Sequence, residues 1–152
     1  MRKNEQRKGK RKVWIVVLSI FGVIALGMAG AVILTAPGRD ELQNMVIADV
    51  DFQKLRDGIF AGSYRGTKDG LRNAAVEVVV KSGAVTKIRV TEGALTGDKQ
   101  MREIRKGLSI NDLFDEVIKS QSLQVDVISG ATLTSNAHLK AVENALKQAE
   151  IR

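Results

Sequence analysis

The sequence has no cysteine and only one histidine among its 152 residues. The absence of thiols excludes disulfide frameworks, zinc ribbons, cysteine-ligated iron–sulfur clusters and cysteine nucleophiles. A lone imidazole likewise excludes a metal centre built from several histidines. The length leaves room for one globular domain, because domains average about 150 residues. Any chemistry carried by side chains in that domain must therefore use oxygen atoms.

Aromatic residues make up only 4% of the chain, and its net charge of +7 is concentrated at one end. Residues 1–12 contain seven Lys or Arg and one Glu, whereas the remainder carries 17 bases and 16 acids. A near-neutral body with few rings on which bases stack is not typical of nucleic-acid-binding proteins. We therefore expect no nucleic acid among the partners.

A run without any charge follows the basic tail and extends over residues 13–36. As a helix it would be about 36 Å long, which is enough to cross the hydrocarbon core of a bilayer. A buried core helix is one alternative, but such helices are shorter. A cleavable signal peptide is another, because Ala29-Gly30-Ala31 has the spacing of a cleavage site. Since the apolar run continues past that site, a retained transmembrane helix is the favoured prediction.

The charges that flank this run predict its orientation in the lipid bilayer. All seven bases of the tail precede it, whereas Arg39 beyond it is followed at once by Asp40 and Glu41. The positive-inside rule then places the N-terminus in the cytoplasm. The predicted organisation is a cytoplasmic basic tail (1–12), a transmembrane helix (13–36), a juxtamembrane linker (37–56) and an extracytoplasmic domain (57–152).

The segment after the span contains two further helix signals. Pro37-Gly38 is typical of a helix end, so the transmembrane helix is expected to stop there. Residues 40–48 place Leu42, Met45 and Val46 on one side, which predicts a short helix between membrane and domain.

Strand patterns come first in the domain. Residues 59–65 are typical of a strand after the turn at Asp57-Gly58. Alternating apolar residues at 76–80 and 85–90, joined by the turn 81–84, predict a hairpin. Together these segments predict a three-stranded antiparallel meander.

Helical spacing follows the strands. Residues 98–106 form a short helix candidate closed by Gly107, and Ser109 and Asp112 form a capping pattern before a second helix. Apolar residues at steps of three and four then predict an amphipathic helix from Thr134 to the C-terminus. Strands followed by helices indicate an α+β domain.

Four hydroxyl side chains and a glycine cluster at the head of the last helix, in the segment 126–135 (DVISGATLTS). Unsatisfied amides at a helix start favour an anion, Gly130 permits a tight turn, and hydroxyls donate to phosphate oxygens. The same residues also fit a simpler interpretation, in which Thr134 or Ser135 is an ordinary N-cap and Ser129-Gly130 an ordinary turn. Spacing alone leaves both interpretations open.

Residues 126–132 (DVISGAT) resemble the flavinylation sequence Asp-x-x-Ser/Thr-Gly-Ala-Thr of the FMN-binding domain family. That family includes the C subunit of sodium-pumping NADH:quinone oxidoreductase and the G subunit of Rnf complexes. The resemblance extends to residues 57–62 (DGIFAG), which are similar to the family's opening strand, to the hairpin at 76–90, and to residues 121–126 before the motif. The connection from Glu92 to Asp98 is shorter than in those subunits, which favours a single-pass carrier over a pump component.

The resemblance implies that Thr132 carries FMN as a phosphoester of its hydroxyl oxygen. It also implies that a separate flavin transferase forms this bond from FAD with Mg²⁺, and that membrane or extracytoplasmic redox partners exchange electrons with the flavin. The other site residues that it implies are those the transferase would recognise, with Thr134 as a second donor to the phosphate: Asp126, Ser129, Gly130 and Ala131.

Other polar and aromatic residues have less specific signals. The carboxylates of Asp57, Glu77, Glu92 and Asp98 lack catalytic spacing and are expected to be solvated, so no catalytic or metal-ligating residue is assigned. His138 lies on the last helix, either near the flavin or, as the favoured alternative, on the surface. Phe60 and Tyr64 either flank the flavin ring or, by default, pack in the core.

Three functional hypotheses follow. The first is a membrane-anchored electron carrier with covalent FMN. The second is an unflavinylated exported module of similar fold that anchors or stabilises a membrane complex. The third is a flavin reductase with a small substrate of its own.

Overall fold

The computed structural model describes residues 2–68 and 70–151, with side chains from residue 13 onward. The side chains of the basic tail therefore lie outside the described part, as does the C-terminal Arg152. The chain divides into two compact units at Pro37/Gly38. Its elements are α1 (Arg2–Gln43), β1 (Gly58–Tyr64), β2 (Ala74–Lys81), β3 (Ala84–Gly93), a 3₁₀-helix (Gly97–Met101), α2 (Ile110–Ser120) and α3 (Thr132–Ala149). The predicted α+β class with one apolar N-terminal helix is confirmed.

Helix α1 contains a segment that is long and apolar enough to cross a membrane. This segment covers Val13–Gln43 and its most apolar window has a mean hydropathy of 2.6. The large apolar side chains from Val13 to Leu34 are exposed, as expected for a surface that faces lipid. Pro37 lies inside the helix, so the prediction that Pro37-Gly38 ends it is wrong. A proline lacks only one backbone donor, and membrane helices tolerate that loss.

The three strands form an antiparallel sheet in the order β1-β2-β3, which confirms the predicted meander. Val76, Val78 and Val80 of β2 point to the buried face, and Phe60, Gly62 and Tyr64 of β1 lie beside them in register. Tyr64 is only 7% exposed, so core packing is the correct alternative for this ring. On the opposite face Arg89 pairs with Glu77 at 3.0 Å.

The β2–β3 hairpin turns through Ser82 and Gly83, both with positive φ (53° and 74°). Two such residues suit the right-handed twist of a hairpin. The Asp57 carboxylate accepts hydrogen bonds from both turn amides at 2.8 Å. These bonds, that from Gly83 foremost, lower the pKa of Asp57. This exposed carboxylate therefore has a structural role, because it stabilises the turn of the hairpin.

Helix α3 packs on the buried face of the sheet, and Gly62 is the point of closest approach. A side chain at Gly62 would collide with the Ala141 carbonyl and come within 2.8 Å of the Ala145 methyl. Only glycine on the strand and alanine on the helix allow this contact. The helix also protects the free edge of β1, because Asn144 and Gln148 donate hydrogen bonds to the Ser63 and Ala61 carbonyls.

The segment 37–56, expected to link membrane and domain, contributes Leu42, Val50 and Leu55 to the hydrophobic core of the second unit. Side chains of α3 hold the backbone of this segment: Asn136 donates to the Leu42 carbonyl, Lys140 donates to the Val46 carbonyl, and Glu143 accepts from the Ala48 amide. These contacts draw the segment into an irregular path after Gln43. The predicted helix over residues 40–48 is therefore wrong beyond the end of α1.

Glu143 is fully buried on α3 and forms ion pairs with Lys140 and Lys147. Burial alone would raise its pKa, but the hydrogen bonds from both lysines and from the Ala48 amide outweigh that effect and lower it. The buried carboxylate is thus charged, and its bond to the Ala48 amide helps to fix the segment 42–48 against the helix.

The helix predicted over residues 98–106 is also wrong. The structure has a 3₁₀-helix over Gly97–Met101. It is followed by a tight turn in which Arg105 and Leu108 form an isolated antiparallel β-bridge. Side chains explain the difference: Gln100 bonds to the Val90 amide and to Asn111, and the Glu103 carboxylate accepts from the Gly107 amide. The second predicted helix is confirmed as α2.

Candidate functional site

The last helix begins at Thr132, two residues earlier than the spacing predicts. Its N-cap is Ala131, which has no hydroxyl with which to cap the first turn. The interpretation of Thr134 or Ser135 as an ordinary N-cap is therefore wrong. Thr132 and Thr134 instead occupy the first and third positions of the helix, and both are half-buried.

Ser135 holds the loop that precedes the helix. Its hydroxyl accepts a hydrogen bond from the Ile128 amide and donates one to the Ala131 carbonyl, both at 3.2 Å. The Ala131 amide in turn donates to the Ile128 carbonyl at 2.8 Å. Ser135 is completely buried, so it fixes the shape of the loop rather than contacting a ligand.

The first turn of α3 has no side-chain cap and no acidic residue. The first amides of any helix lack intrahelical acceptors, and the helix dipole adds partial positive charge there. Among the described residues, no side chain caps these amides and no acid in the first turn balances the dipole. The start of α3 therefore remains suited to an external anion.

Gly130 has a φ of +82°, a conformation that side chains disfavour. It also lies beneath Arg105: a Cβ added to Gly130 would be 2.8 Å from the Arg105 Nε and 3.3 Å from its Cδ. The sequence motif includes Gly130 but gives no indication of Arg105, because the two residues are brought together only by the fold.

The structure gathers all six residues predicted for the site into one loop and helix start, but it exposes them unequally. Asp126, Ser129 and Gly130 are exposed. Ala131 is 9% exposed and belongs to the core, so its side chain is constrained by packing. An enzyme that recognises this loop would meet the exposed residues and the half-buried threonines.

An open groove of about 600 Å³ adjoins the loop, between α2 and residues 126–129. The apolar residues that line it include Leu108, Leu113 and Ile128. Asp112, Glu116 and Asp126 also line it and contribute carboxylates. The groove has the size for a planar ring system beside the helix start.

His138 lies one turn further along α3 and is 5% exposed, so the predicted surface position is wrong. Its Nδ1 is 2.8 Å from the Thr134 carbonyl oxygen, which can only accept, so Nδ1 carries the proton. Burial lowers the pKa of His138, although the bond to Thr134 partly opposes this effect. The imidazole is neutral and packs near Phe114, with ring centroids 6.2 Å apart.

Comparison with known protein families decides which ligand this geometry suits. Residues 66–147 match the model of the FMN-binding domain. The chain belongs to the FMN-binding domain family. The match covers more than half of the sequence and includes the whole of the motif, and FMN is accordingly the cofactor that the family implies. The chain matches no curated protein and no solved structure.

The residues present fit FMN. Its phosphate group suits the uncapped start of α3, and a glycine at position 130 leaves the backbone open beneath Arg105. The adjoining groove offers apolar contacts to a flat ring. The carboxylates of Asp112, Glu116 and Asp126 make the groove suited to the uncharged ring rather than to the phosphate, whose place is at the helix start.

Proposed function

We propose that the protein is a membrane-anchored, extracytoplasmic electron-transfer protein that carries FMN covalently on Thr132. The observation that carries this proposal is the position of Thr132 within a family-matched motif: it is the first residue of a helix whose first turn has neither a side-chain cap nor an acid. A phosphate on its hydroxyl would lie beside amides that have no other acceptor in the helix.

A flavin transferase would form the bond. The Thr132 Oγ1 replaces one oxygen of the FAD pyrophosphate, so an oxygen–phosphorus bond forms to the FMN half, the pyrophosphate bond breaks, and AMP leaves with the hydroxyl proton. The exposed Asp126, Ser129 and Gly130 are the residues that such an enzyme can contact. Mg²⁺ in the transferase would neutralise the leaving phosphate. In this reaction the protein is the substrate and the transferase is the catalyst.

Covalent attachment suits an exported protein. Free FMN is dilute outside the cytoplasm, whereas a tethered flavin stays at a high local concentration. When bound, the isoalloxazine supplies the one- and two-electron chemistry, and the protein supplies position and electrostatics. The partners of this proposal are the transferase, the lipid bilayer, and membrane or extracytoplasmic redox proteins.

The orientation is inferred from charge. Seven bases precede Val13, and the flank beyond the apolar segment is near neutral, so the N-terminus would remain in the cytoplasm. A reporter fused after Arg152 should be active outside the cytoplasm, and protease added to cells with a permeable outer layer should remove the domain. Activity of that reporter only in the cytoplasm would overturn the orientation.

Coexpression with a flavin transferase tests the attachment. The full chain should become yellow, retain the colour after denaturation, and gain the mass of one FMN less one water on the peptide that contains Thr132. Thr132→Ala should abolish the adduct, whereas Thr134→Ala is the matched control and should retain it. An adduct on Thr134 or Ser135 would contradict the assignment. The absence of any adduct, with a control substrate modified normally, would favour the unflavinylated anchoring module.

A further inference from the structure

Arg105 presents its side chain to the proposed flavin site, and it forms no ion pair with the described part of the chain. Its Nε and Cδ lie over Gly130, the residue two positions before Thr132. None of the ion pairs among the described residues involves Arg105. An exposed guanidinium therefore lies beside the start of α3 and remains available to an anion.

The backbone of Arg105 is held by a tight turn. Its carbonyl accepts from the Leu108 amide at 3.0 Å, and the Leu108 carbonyl accepts from the Ile104 amide at 2.8 Å. Lys106 and Gly107 form the tip with positive φ values of 53° and 77°. The turn leads directly into Ser109, the capped start of α2. Arg105 thus projects from a fixed turn, whereas Lys106 occupies its tip.

We propose that Arg105 is a cofactor-binding residue whose guanidinium contacts the phosphate on Thr132. This inference rests on the proposed attachment of FMN to Thr132. A phosphoester between two carbon-bound oxygens retains one negative charge, and a guanidinium is suited to bind its two free oxygens in parallel. The helix amides and Arg105 would then hold the phosphate from two sides. Gly130 acquires a second role, because any side chain there would displace the guanidinium.

Phosphorus NMR of the flavinylated full chain in detergent tests the contact, with Lys106→Gln as the matched control for Arg105→Gln. Both variants remove one charge from the same turn. Arg105→Gln should shift the ³¹P resonance of the phosphoester, whereas Lys106→Gln should leave it at the wild-type position. The rate of modification by the transferase should also fall about fivefold in Arg105→Gln, the size expected for an exposed charged contact.

Each outcome is decisive. A slower modification with an unchanged ³¹P resonance would mean that the transferase recognises Arg105, which overturns the proposal. Equal shifts in the Gln variants of Arg105 and Lys106 would indicate a general effect of charge and would also overturn it. If Arg105→Gln is not modified at all, the ³¹P resonance of Arg105→Lys tests the contact instead. Lysine retains the positive charge but lacks the two parallel donors of arginine. A resonance identical to that of the wild type would therefore refute the contact. Absence of the adduct from the wild-type chain is a different result, since it refutes the proposed function itself.

Discussion

The two helices that border the candidate site begin in opposite ways. The start of α2 is closed by a capping box: the Ser109 hydroxyl accepts from the Asp112 amide, and the Asp112 carboxylate accepts from the Ser109 amide at 2.7 Å. The start of α3 has Ala131 as its N-cap and no acid in its first turn. A helix start that is satisfied by its own side chains contributes to stability, whereas one left unsatisfied is available for a ligand. From this contrast we infer a structural role for the start of α2 and propose a binding role for the start of α3.

Removing the capping box should have the largest effect on stability. Ser109→Ala combined with Asp112→Ala should lower the free energy of unfolding of the domain by about 2 kcal/mol, because both side-chain partners of the box are lost. Denaturation of the detergent-solubilised chain, followed by the near-ultraviolet signal of the domain, measures this loss. Although Asp112 also lines the groove, the flavin content per folded molecule should not change, because the proposed covalent bond is on Thr132. A loss of flavin without a loss of stability would reverse the assignment of the two helix starts.

Flavinylation should stabilise α3 by a smaller amount. The phosphate charge at the helix start is expected to contribute about 1 kcal/mol. That gain raises the melting temperature by about 4 °C for a domain of this size. The comparison is between the modified chain and the unmodified Thr132→Val variant, whose N-cap is still Ala131. Equal melting temperatures would count against a phosphate at this position.

Acid should distinguish the two starts through Asp112. Hydrogen bonds from the Ser109 hydroxyl, followed by the Ser109 amide, lower the pKa of Asp112 below its usual value. The stabilisation is therefore present above the ordinary aspartate pKa and is lost as the pH falls through the lowered value. Asp112→Asn should flatten the decline in melting temperature between about pH 5 and pH 2. Thr132→Val should leave this decline unchanged, since the first turn of α3 has no carboxylate.

The smallest effect is expected from Thr134→Ala. Thr134 does not cap α3, so its replacement in the unmodified chain should change the free energy of unfolding by less than about 0.5 kcal/mol. A loss of 1 kcal/mol or more, measured by the same denaturation experiment, would show that its hydroxyl supports the helix start after all.

Local patterns predicted much of this fold. The alternation of valines in β2 defines one buried face, and the Ser109 and Asp112 spacing identifies the start of α2, because both signals depend on neighbours in sequence. The irregular pairing of β3 with β2 was harder to predict from the sequence. Register shifts at Val79/Val80 let both Val85 and Ile88 face the core, although strict alternation would separate them.

The site was predictable only in part. The family motif identifies residues 126–132, but the preference for serine and threonine caps places the start of α3 two residues too late. The fold overrides that preference because the Ser135 hydroxyl is already used by the Ile128 amide and the Ala131 carbonyl. The burial of His138 and the position of Arg105 over Gly130 depend on contacts between distant segments, which no local spacing encodes.

Amide hydrogen exchange in the modified and unmodified full chain tests the central claim most directly. The amides of Leu133 and Thr134, in the first turn of α3, should exchange more slowly once Thr132 carries the phosphate, because they gain an acceptor. The Gly83 amide, bonded to the Asp57 carboxylate in the β2–β3 hairpin, serves as the internal reference and should exchange at the same rate in both forms. Slowing confined to α3 is the predicted result. Equal exchange at Leu133 and Thr134, in a chain whose adduct on Thr132 is established by mass, would contradict the account.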